Sequence, residues 1–379
     1  MIHARSLSAQ PPVNEAGMSE TITIPAEKLE ALLRALADTF PMSPDEKEAW
    51  VEQLLLCELR GNIMQGLEHL GYHWFQRFTD GTTVWGAEME LINERPAMAI
   101  LDAKGAMGAF VAKRAMEIAC ERAKTAGVFT LAVRNSPDWM MVGYSSLQAL
   151  KHDCVGWVYA NSRPDVAPWG GTSPVYGHCL ISTAIPTARH HPLLMDMAAN
   201  NTGGLKAQEM LMKGQMPPGL YFDASGRKTD DAGLWGTDNI NWGIKGGAQS
   251  MSGYRDQALT SVIDAFAGAI TGMKCALDLA VPEPVVDGER TPRGQVVMAF
   301  DIAAFTAVDE FKAKVDRAID QAKASPLAEG FDEILMPGER GFREAERRRK
   351  GGIPIHLKVW RDVVALSRER GVDAEAFRG

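Results

Sequence analysis

The sequence predicts an α/β protein with flanking helices and a helical N-terminal region. Three observations predict it: two amphipathic helices precede residue 80, apolar strand-like runs alternate with helix-period segments from Ala97 onward, and no solenoid-length repeat occurs. The 379 residues are 46% apolar and 23% charged, a globular composition. At roughly 150 residues per domain the chain has length for about two domains and a cleft.

The first helix starts at Pro25, a favoured opening residue, and puts Leu29, Leu32, Leu33, Leu36 and Phe40 on one stripe. What precedes it, residues 1–17, reads as a flexible tail, with Met18 as an alternative start. A second helix opens on the capping box Ser43-Pro44-Asp45-Glu46 and ends near Gly61. From Ala97 a buried strand and glycine turn lead into a helix through Val111, Ala115 and Ile118, followed by a strand from Val128 to Val133. A helical run, Tyr144 to Leu150, precedes the strand Trp157 to Asn161. Residues 168–253, rich in Gly, Pro, Asn and Trp, read as irregular connections around short strands. A helix from Asp256 to Gly272, a strand from Gln295 to Phe300, a helix from Val308 to Lys323 and a basic terminal region with Trp360 complete the chain. These elements group into a largely helical domain, 18–95 with 290–379, and an α/β domain over 96–289.

Forty basic against 48 acidic residues give a net charge of −8, and no Lys/Arg block is long enough to follow a phosphate backbone. Nucleic-acid binding is therefore not expected. No run approaches the roughly 18 apolar residues of a membrane span, and the N-terminus lacks the apolar core of a secretion signal. Cys57, Cys120, Cys154, Cys179 and Cys275 are odd in number and scattered, which suits thiols in a reducing cytoplasm.

Four places carry candidate chemistry. His69 and His73 stand four apart, a spacing that lets two imidazoles share a helix face and serve either as metal ligands or as polar groups, although Gly66 and Gly71 weaken the helix and no third ligand is defined. Asp138, in Asn135-Ser136-Pro137-Asp138-Trp139, follows a buried strand and lies beside an indole, where a raised pKa would let it handle protons; the alternative is a helix N-cap. His178-Cys179 follows a Gly-rich segment, but sequence neighbours on a strand point to opposite faces, which argues against a Cys/His dyad. Asp196 interrupts the apolar run Leu194-Met195-Asp196-Met197-Ala198, and a buried acid there needs backbone donors, an arginine or a ligand as partner. No GxGxxG occurs, so an ordinary Rossmann domain is not supported.

Over nearly the whole chain after Met18 the sequence resembles the type 2 malate/lactate dehydrogenase family, which includes ureidoglycolate dehydrogenase, sulfolactate dehydrogenase, diketogulonate reductase and piperideine-2-carboxylate reductase. The landmarks, in order, are Glu58-Leu59-Arg60-Gly61, Leu101-Asp102, Val133-Arg134-Asn135-Ser136, Ala167-Pro168-Trp169-Gly170-Gly171, Asp196-Met197-Ala198, Asp223-Ala224-Ser225-Gly226, Pro337-Gly338-Glu339 and Gly352-Ile353-Pro354. The resemblance implies a non-Rossmann NAD(P)-binding fold with a mixed sheet, a homodimer, and reduction of 2-oxo or cyclic imino acids or oxidation of 2-hydroxy acids.

The chain departs from the family pattern where the chemistry belongs. A Ser-His-Gly run and the arginine after it become Met64, Gln65, Gly66 and His69; the histidine after Asn-Ser becomes Asp138; Thr-Asn-Pro becomes His178-Cys179-Leu180; and a Lys-Gly pair becomes Ser252-Gly253, with Lys245 nearby. On this reading Asp138 and His69 are the acid/base groups, and Gln65, Trp139 and His178 shape the substrate site. By resemblance Ser162, Asp196, Met197, Ala198 and Ser252 contact NAD or NADP. The expected function is an NAD(P)-dependent oxidoreductase acting on a small oxo, imino or hydroxy compound; the alternatives are a non-redox lyase, hydratase or isomerase on the same scaffold, or a non-catalytic NAD(P)-binding protein.

Overall fold

The structure, a computed structural model, describes residues 20–200, 210, 221–229, 235–236, 243–244, 248–251, 253–280, 283–284, 289–290 and 293–378. The tail expected over 1–17 lies outside the described residues. The elements used below are, in chain order, β1 (Thr21–Ile24), α1 (Ala26–Ala37), α2 (Pro44–Arg60), β2 (Glu90–Arg95), β3 (Met98–Asp102), α3 (Gly108–Ala126), β4 (Val128–Arg134), α4 (Val142–Gln148), β5 (Cys154–Ala160), β6 (Leu180–Ile185), β7 (Leu193–Ala198), α5 (Tyr254–Thr271), β8 (Gln295–Asp301), α6 (Val308–Lys323), α7 (Glu339–Gly351), β9 (Ile353–His356) and α8 (Leu357–Glu369).

The helical layer forms as its stripe dictates. Leu29, Leu32, Leu33 and Leu36 of α1 are fully buried against Trp50 and Leu54 of α2 and Trp360 and Val363 of α8. The expected capping box is present: Glu46 N–H donates to the Ser43 hydroxyl at 3.3 Å and Ser43 N–H to the Glu46 carboxylate at 2.8 Å. Gly61 then stops α2 in the left-handed region at φ 78. Antiparallel pairing of β1 with β9 joins the two ends of the chain in this layer.

Seven strands form the central sheet in the order β2-β3-β4-β8-β5-β6-β7. β3 and β4 run parallel, joined by α3, and every other neighbouring pair is antiparallel, so the sheet is mixed. Val111, Ala115, Met116 and Ala119 of α3 pack on Leu101, Leu131, Val133, Val158 and Val297, forming the second core. β8 lies at the centre of this sheet and β2 at its edge; the sequence reading had grouped both with the helical half. Among the described residues no helix is long and apolar enough to cross a membrane.

Register explains how distant segments meet. Val133 of β4 faces Gln295 of β8, Gln295 faces Ala160 of β5, Ala160 faces Leu180 of β6 and Leu180 faces Ala198 of β7. One end of the sheet therefore collects the exit of β4, the entry to β8, the exit of β5, the entry to β6 and the exit of β7. Loops at such an end are free to carry chemistry because the ladder beneath fixes their stems.

Candidate active site

The segment leaving β4 is tied down residue by residue. Asp102 at the end of β3 accepts from Arg134 Nε at 3.0 Å and from Asn135 Nδ2 at 2.9 Å, and Asn135 turns the chain at φ 55, a conformation Asn tolerates. Two landmarks far apart in sequence are thus one hydrogen-bonded turn. Beyond it the indole N–H of Trp139 donates to Ser136 Oγ at 2.8 Å, and Gln53 Nε2 of α2 donates to the Trp139 carbonyl at 2.7 Å. A Cβ on Gly108 would stand 2.0 Å from the Asp138 carbonyl oxygen, so only glycine lets α3 start this close to the loop. Trp139, expected to shape the substrate pocket, is instead 1% exposed in the sheet core. Its bulk is worth more buried against α3 and α4 than left facing solvent.

Asp138 is where the charges converge. Arg293, just ahead of β8, places Nη1 2.8 Å from Asp138 Oδ2, and Arg77 places Nη1 3.8 Å from the same oxygen. The other oxygen, Oδ1, accepts Met140 N–H at 3.0 Å. This bond closes a local turn before α4, whose N-cap is Met141, so Asp138 is not the helix cap. Burial pushes the carboxyl pKa up, but Arg293 and Arg77, with the Met140 N–H, outweigh it and hold the group well below the usual carboxylate range. The raised pKa expected from the neighbouring indole is reversed because the sequence did not reveal the two guanidiniums.

His69 and His73 do not share an α-helical face. A 3-10 turn, Leu67–His69, runs into a π-helical stretch, Leu70–Gln76, which brings the two rings to 4.8 Å between centroids at 81°. His69 Nδ1 lies 2.5 Å from the Met64 carbonyl. A carbonyl only accepts, so Nδ1 carries the proton and Nε2 of the neutral ring is the basic atom. Burial lowers the His69 pKa, as does Arg77, while Met64 and Asp138 act in the other direction. His73 is pushed well below its ordinary value by burial and by Arg77. The turn that carries these rings is anchored by buried Glu58, which accepts Leu67 N–H at 2.7 Å and whose pKa burial lifts to about 7. Gln65 Nε2 donates to the Met140 carbonyl at 3.1 Å, so the Gln65 turn and the Asp138 loop are joined directly.

The other candidates sit at the same sheet end with different partners. His178 is ion-paired to Asp165 through Nε2 at 2.9 Å and lies 2.9 Å from Asn200 Oδ1 through Nδ1. Burial opposes the imidazolium, but Asp165 outweighs it and raises the pKa. With both nitrogens engaged, His178 ties loops together, and a substrate contact would have to break one of these bonds. Cys179 beside it is buried at φ 36. Ser162 follows β5, packed so closely that a Cβ on Gly177 would come 2.2 Å from its hydroxyl. Asp196 is half-buried on the edge strand β7 and accepts the Gly143 N–H; burial lifts its pKa to about 6 against the pull of Arg60. It thus has the backbone donor and the arginine that an acid in an apolar strand requires. Strand alternation puts Asp196 and Ala198 on one face and Met197, 46% exposed, on the other. Ser252 and Lys245 lie outside the described residues.

The donor and acceptor set suits a nicotinamide group. The Asp196 carboxylate has acceptor capacity beyond the single Gly143 N–H, on the side of the sheet covered by α4, and a carboxamide N–H is the complementary donor. Sequence reasoning missed Arg77 and Arg293. Arg77 stood eight residues past His69 on the same helical stretch, a detectable signal, whereas Arg293 gained meaning only from the position of β8 beside β4.

Comparison with known proteins agrees with this architecture. The family model for malate/L-lactate dehydrogenase matches residues 24–364, and the chain belongs to that family. L-sulfolactate dehydrogenase of Methanothermobacter thermautotrophicus is 29% identical over 82% of this chain and 88% of its own, and malate dehydrogenase of Pyrococcus abyssi is 28% identical over 93% and 96%. The solved structure of sulfolactate dehydrogenase from Methanocaldococcus jannaschii superposes with a TM-score of 0.81 at 26% identity, covering 94% of this chain and 99% of that one. The protein is accordingly a dehydrogenase of the hydroxy-acid or a related type.

Proposed function

We propose that the chain is an NAD(P)-dependent oxidoreductase acting on a small oxo, imino or hydroxy compound, with His69 as the proton-transfer group and Asp138 as a fixed carboxylate. The observation that carries this reading is the neutral His69 ring, its tautomer set by Met64, held beside the Asp138 ion cluster. NAD(P), when bound, supplies or accepts the hydride. Asp196 would hold its carboxamide, and Ser162 stands at the same sheet end.

During oxidation of a hydroxyl, His69 Nε2 takes the proton; during reduction the imidazolium returns it. Burial keeps the ring neutral at rest, with Arg77 acting the same way, while the Met64 carbonyl and the Asp138 carboxylate favour the imidazolium and leave it able to charge. Because Asp138 is ionised throughout the neutral range, it sets the field and position of the site and does not itself donate the proton. Gln65 links the His69 turn to the Asp138 loop and holds the two groups in register.

The test is a panel of 2-oxo acids, cyclic imino acids and 2-hydroxy acids with each nicotinamide cofactor, followed at the reduced-nicotinamide absorbance band. Turnover is expected with at least one class, and His69→Ala should lower it by about 100-fold or more, the usual contribution of general acid–base catalysis. Absence of any nicotinamide absorbance change, or full turnover in both His69→Ala and Asp138→Asn, would overturn the proposal.

We further propose a homodimer, supported by the outward face of α5, where Val262 is 66% exposed and Leu259 and Ile270 lie on the same side of the helix. A cytoplasmic location is proposed on the five free cysteines, four of them buried. Light scattering on the purified protein tests the dimer, and a monomeric mass at micromolar concentration rejects it.

A further inference from the structure

Arg60 closes α2 as a buried cation that its own surroundings do not satisfy. Its guanidinium lies flat, with Cζ 4.2 Å from the centroid of the Phe342 ring and Nη2 3.5 Å from the Gly338 carbonyl. A Cβ on Gly341 would stand 2.7 Å from Nη2, so the glycine leaves room for the plane of the arginine. The residue is 9% exposed, yet Nε and Nη1 have no hydrogen-bond partner among the described residues. Buried donors left in this state cost stability, and an apolar side chain of similar length would fill the same space without that cost.

The packing around Arg60 leads to Asp196. Gly338 presses on β7: a Cβ there would stand 2.7 Å from the Leu194 Cβ, and Leu194 N–H donates to the Pro337 carbonyl at 3.0 Å. Asp196 is two residues further along that strand and therefore on the same face as Leu194. One turn before Arg60, Cys57 Sγ lies 3.7 Å from Met141 Sδ at the start of α4, where Gly143 N–H donates to Asp196. Asp196 is the charge that most favours the Arg60 guanidinium, and Arg60 is the charge that pulls against the burial of Asp196. Among the described residues no hydrogen bond joins the two, so the carboxylate keeps acceptor capacity for a ligand. The other groups packed around Asp196 are silent or engaged elsewhere. Burial keeps the Cys57 thiol neutral, Ser182 opposite it on β6 carries no charge, and Tyr144 of α4 donates to Glu52. Glu58 of α2 accepts Leu67 N–H, Glu339 of α7 is paired with Lys323 and Arg343, and Arg340 acts on Arg60 as a like charge.

We propose that Arg60 is a positioning residue for the cofactor, acting through Asp196: it supplies the buried positive charge that keeps this carboxyl ionised as acceptor of the nicotinamide carboxamide. The proposal rests on the dehydrogenase reading above and names a residue that serves it. A hydrogen bond to an ionised acceptor is about twice as strong as one to a neutral acceptor. Without Arg60, burial acts on Asp196 with no guanidinium to oppose it, and the carboxyl takes up a proton within the neutral range.

The experiment follows binding of NAD, and of NADP in parallel, to the full chain by calorimetry from about pH 5 to about pH 8.5, while carboxyl-carbon NMR titrates Asp196 in the unliganded protein. Wild type should bind about tenfold more tightly at the alkaline end than at the acid end, the scale of one charge-assisted hydrogen bond. Its midpoint should lie near the Asp196 pKa of about 6. Arg60→Met should carry both the binding and the NMR midpoint to about pH 7 or above, and Arg60→Lys should hold them close to wild type. In Asp196→Asn the binding should be weak, lack the pH step, and be indifferent to a further Arg60→Met. Urea unfolding at about pH 5, where Asp196 is mostly protonated, separates this role from a structural one. There Arg60→Met should be at least as stable as wild type, because it removes two unpartnered donors.

Binding that Arg60→Met weakens equally at every pH, or an Asp196 titration that it leaves in place, would overturn the proposal. A clearly destabilised Arg60→Met protein at about pH 5 would make the arginine a structural residue and overturn it as well. Failure of the dehydrogenase reading has a different signature: wild type would bind neither cofactor at any pH, while the NMR midpoint of Arg60→Met would still decide whether Arg60 sets the charge of Asp196.

Discussion

Replacing Asp138 by Asn and Arg293 by Gln, singly and together, measures the ion pair on which the site is built. The Nη1 to Oδ2 distance is 2.8 Å and the side chains are 11% and 19% exposed, so the pair lies nearer the buried than the surface limit. Removing one partner from a fully buried pair costs about 3–5 kcal/mol and from an exposed pair about 0–1 kcal/mol. Each single variant should therefore lose about 2–3 kcal/mol of stability and the double variant about 2 kcal/mol, because the remaining amides no longer strand a charge. That corresponds to a coupling of about 2–4 kcal/mol in the double-mutant cycle. Urea unfolding of all four proteins supplies the values, with equal m-values required for the comparison. The pH dependence gives an independent reading. Since the folded carboxyl titrates below its ordinary value, the unfolded chain takes up the proton first as pH falls. Wild type's advantage over Asp138→Asn should be full above about pH 5 and shrink steadily below about pH 4. A coupling of about 0.5 kcal/mol or less, or an advantage that grows on acidification, refutes the reasoning.

Two further perturbations probe the neighbouring supports. Asp196 has the opposite linkage: its folded pKa of about 6 lies above its ordinary value, so its contribution to stability is whole below about pH 4 and is lost as pH rises toward 6. Asp196→Asn should accordingly raise the unfolding midpoint more at pH 8 than at pH 5 and weaken nicotinamide binding at both, and a larger stabilisation at pH 5 would contradict the assignment. Gly108→Ala places a Cβ 2.0 Å from the Asp138 carbonyl, a backbone atom that has little room to yield. It should cost about 2–3 kcal/mol and reduce turnover, both checked on the purified variant; a neutral effect would mean that the start of α3 does not position the loop.

Local pattern carried the sequence reading a long way. The stripe of α1, the Ser43 capping box, the Gly61 stop and the strand preceding Asn135 are consequences of residues within a few positions of one another, and the structure has them. The candidate site was legible only in part. Asp138, His69 and Gln65 were singled out by where they depart from the family pattern, and the structure joins the Asp138 loop to the turns that carry the other two. The burial of Trp139 and the partners of His178, Asp165 and Asn200, were not legible because they depend on packing that composition does not encode.

The deeper failure concerns the protonation state of Asp138, and it follows from topology. An aspartate after a buried strand, beside an indole, should titrate high if burial acts alone, and burial is indeed the largest single influence on it. What reverses the sign is Arg293, which is 155 residues away. It reaches Asp138 because β8 inserts between β4 and β5, setting Gln295 opposite Val133 and bringing the residue two positions earlier over the β4 exit. A strand inserted from late in the chain leaves no periodic signature at the site it completes. Reading Asp138 as an acid was thus the correct inference from an incomplete neighbourhood. The same long-range pairing that turned it into a permanent carboxylate also fixed the Arg293 guanidinium over the loop that carries it.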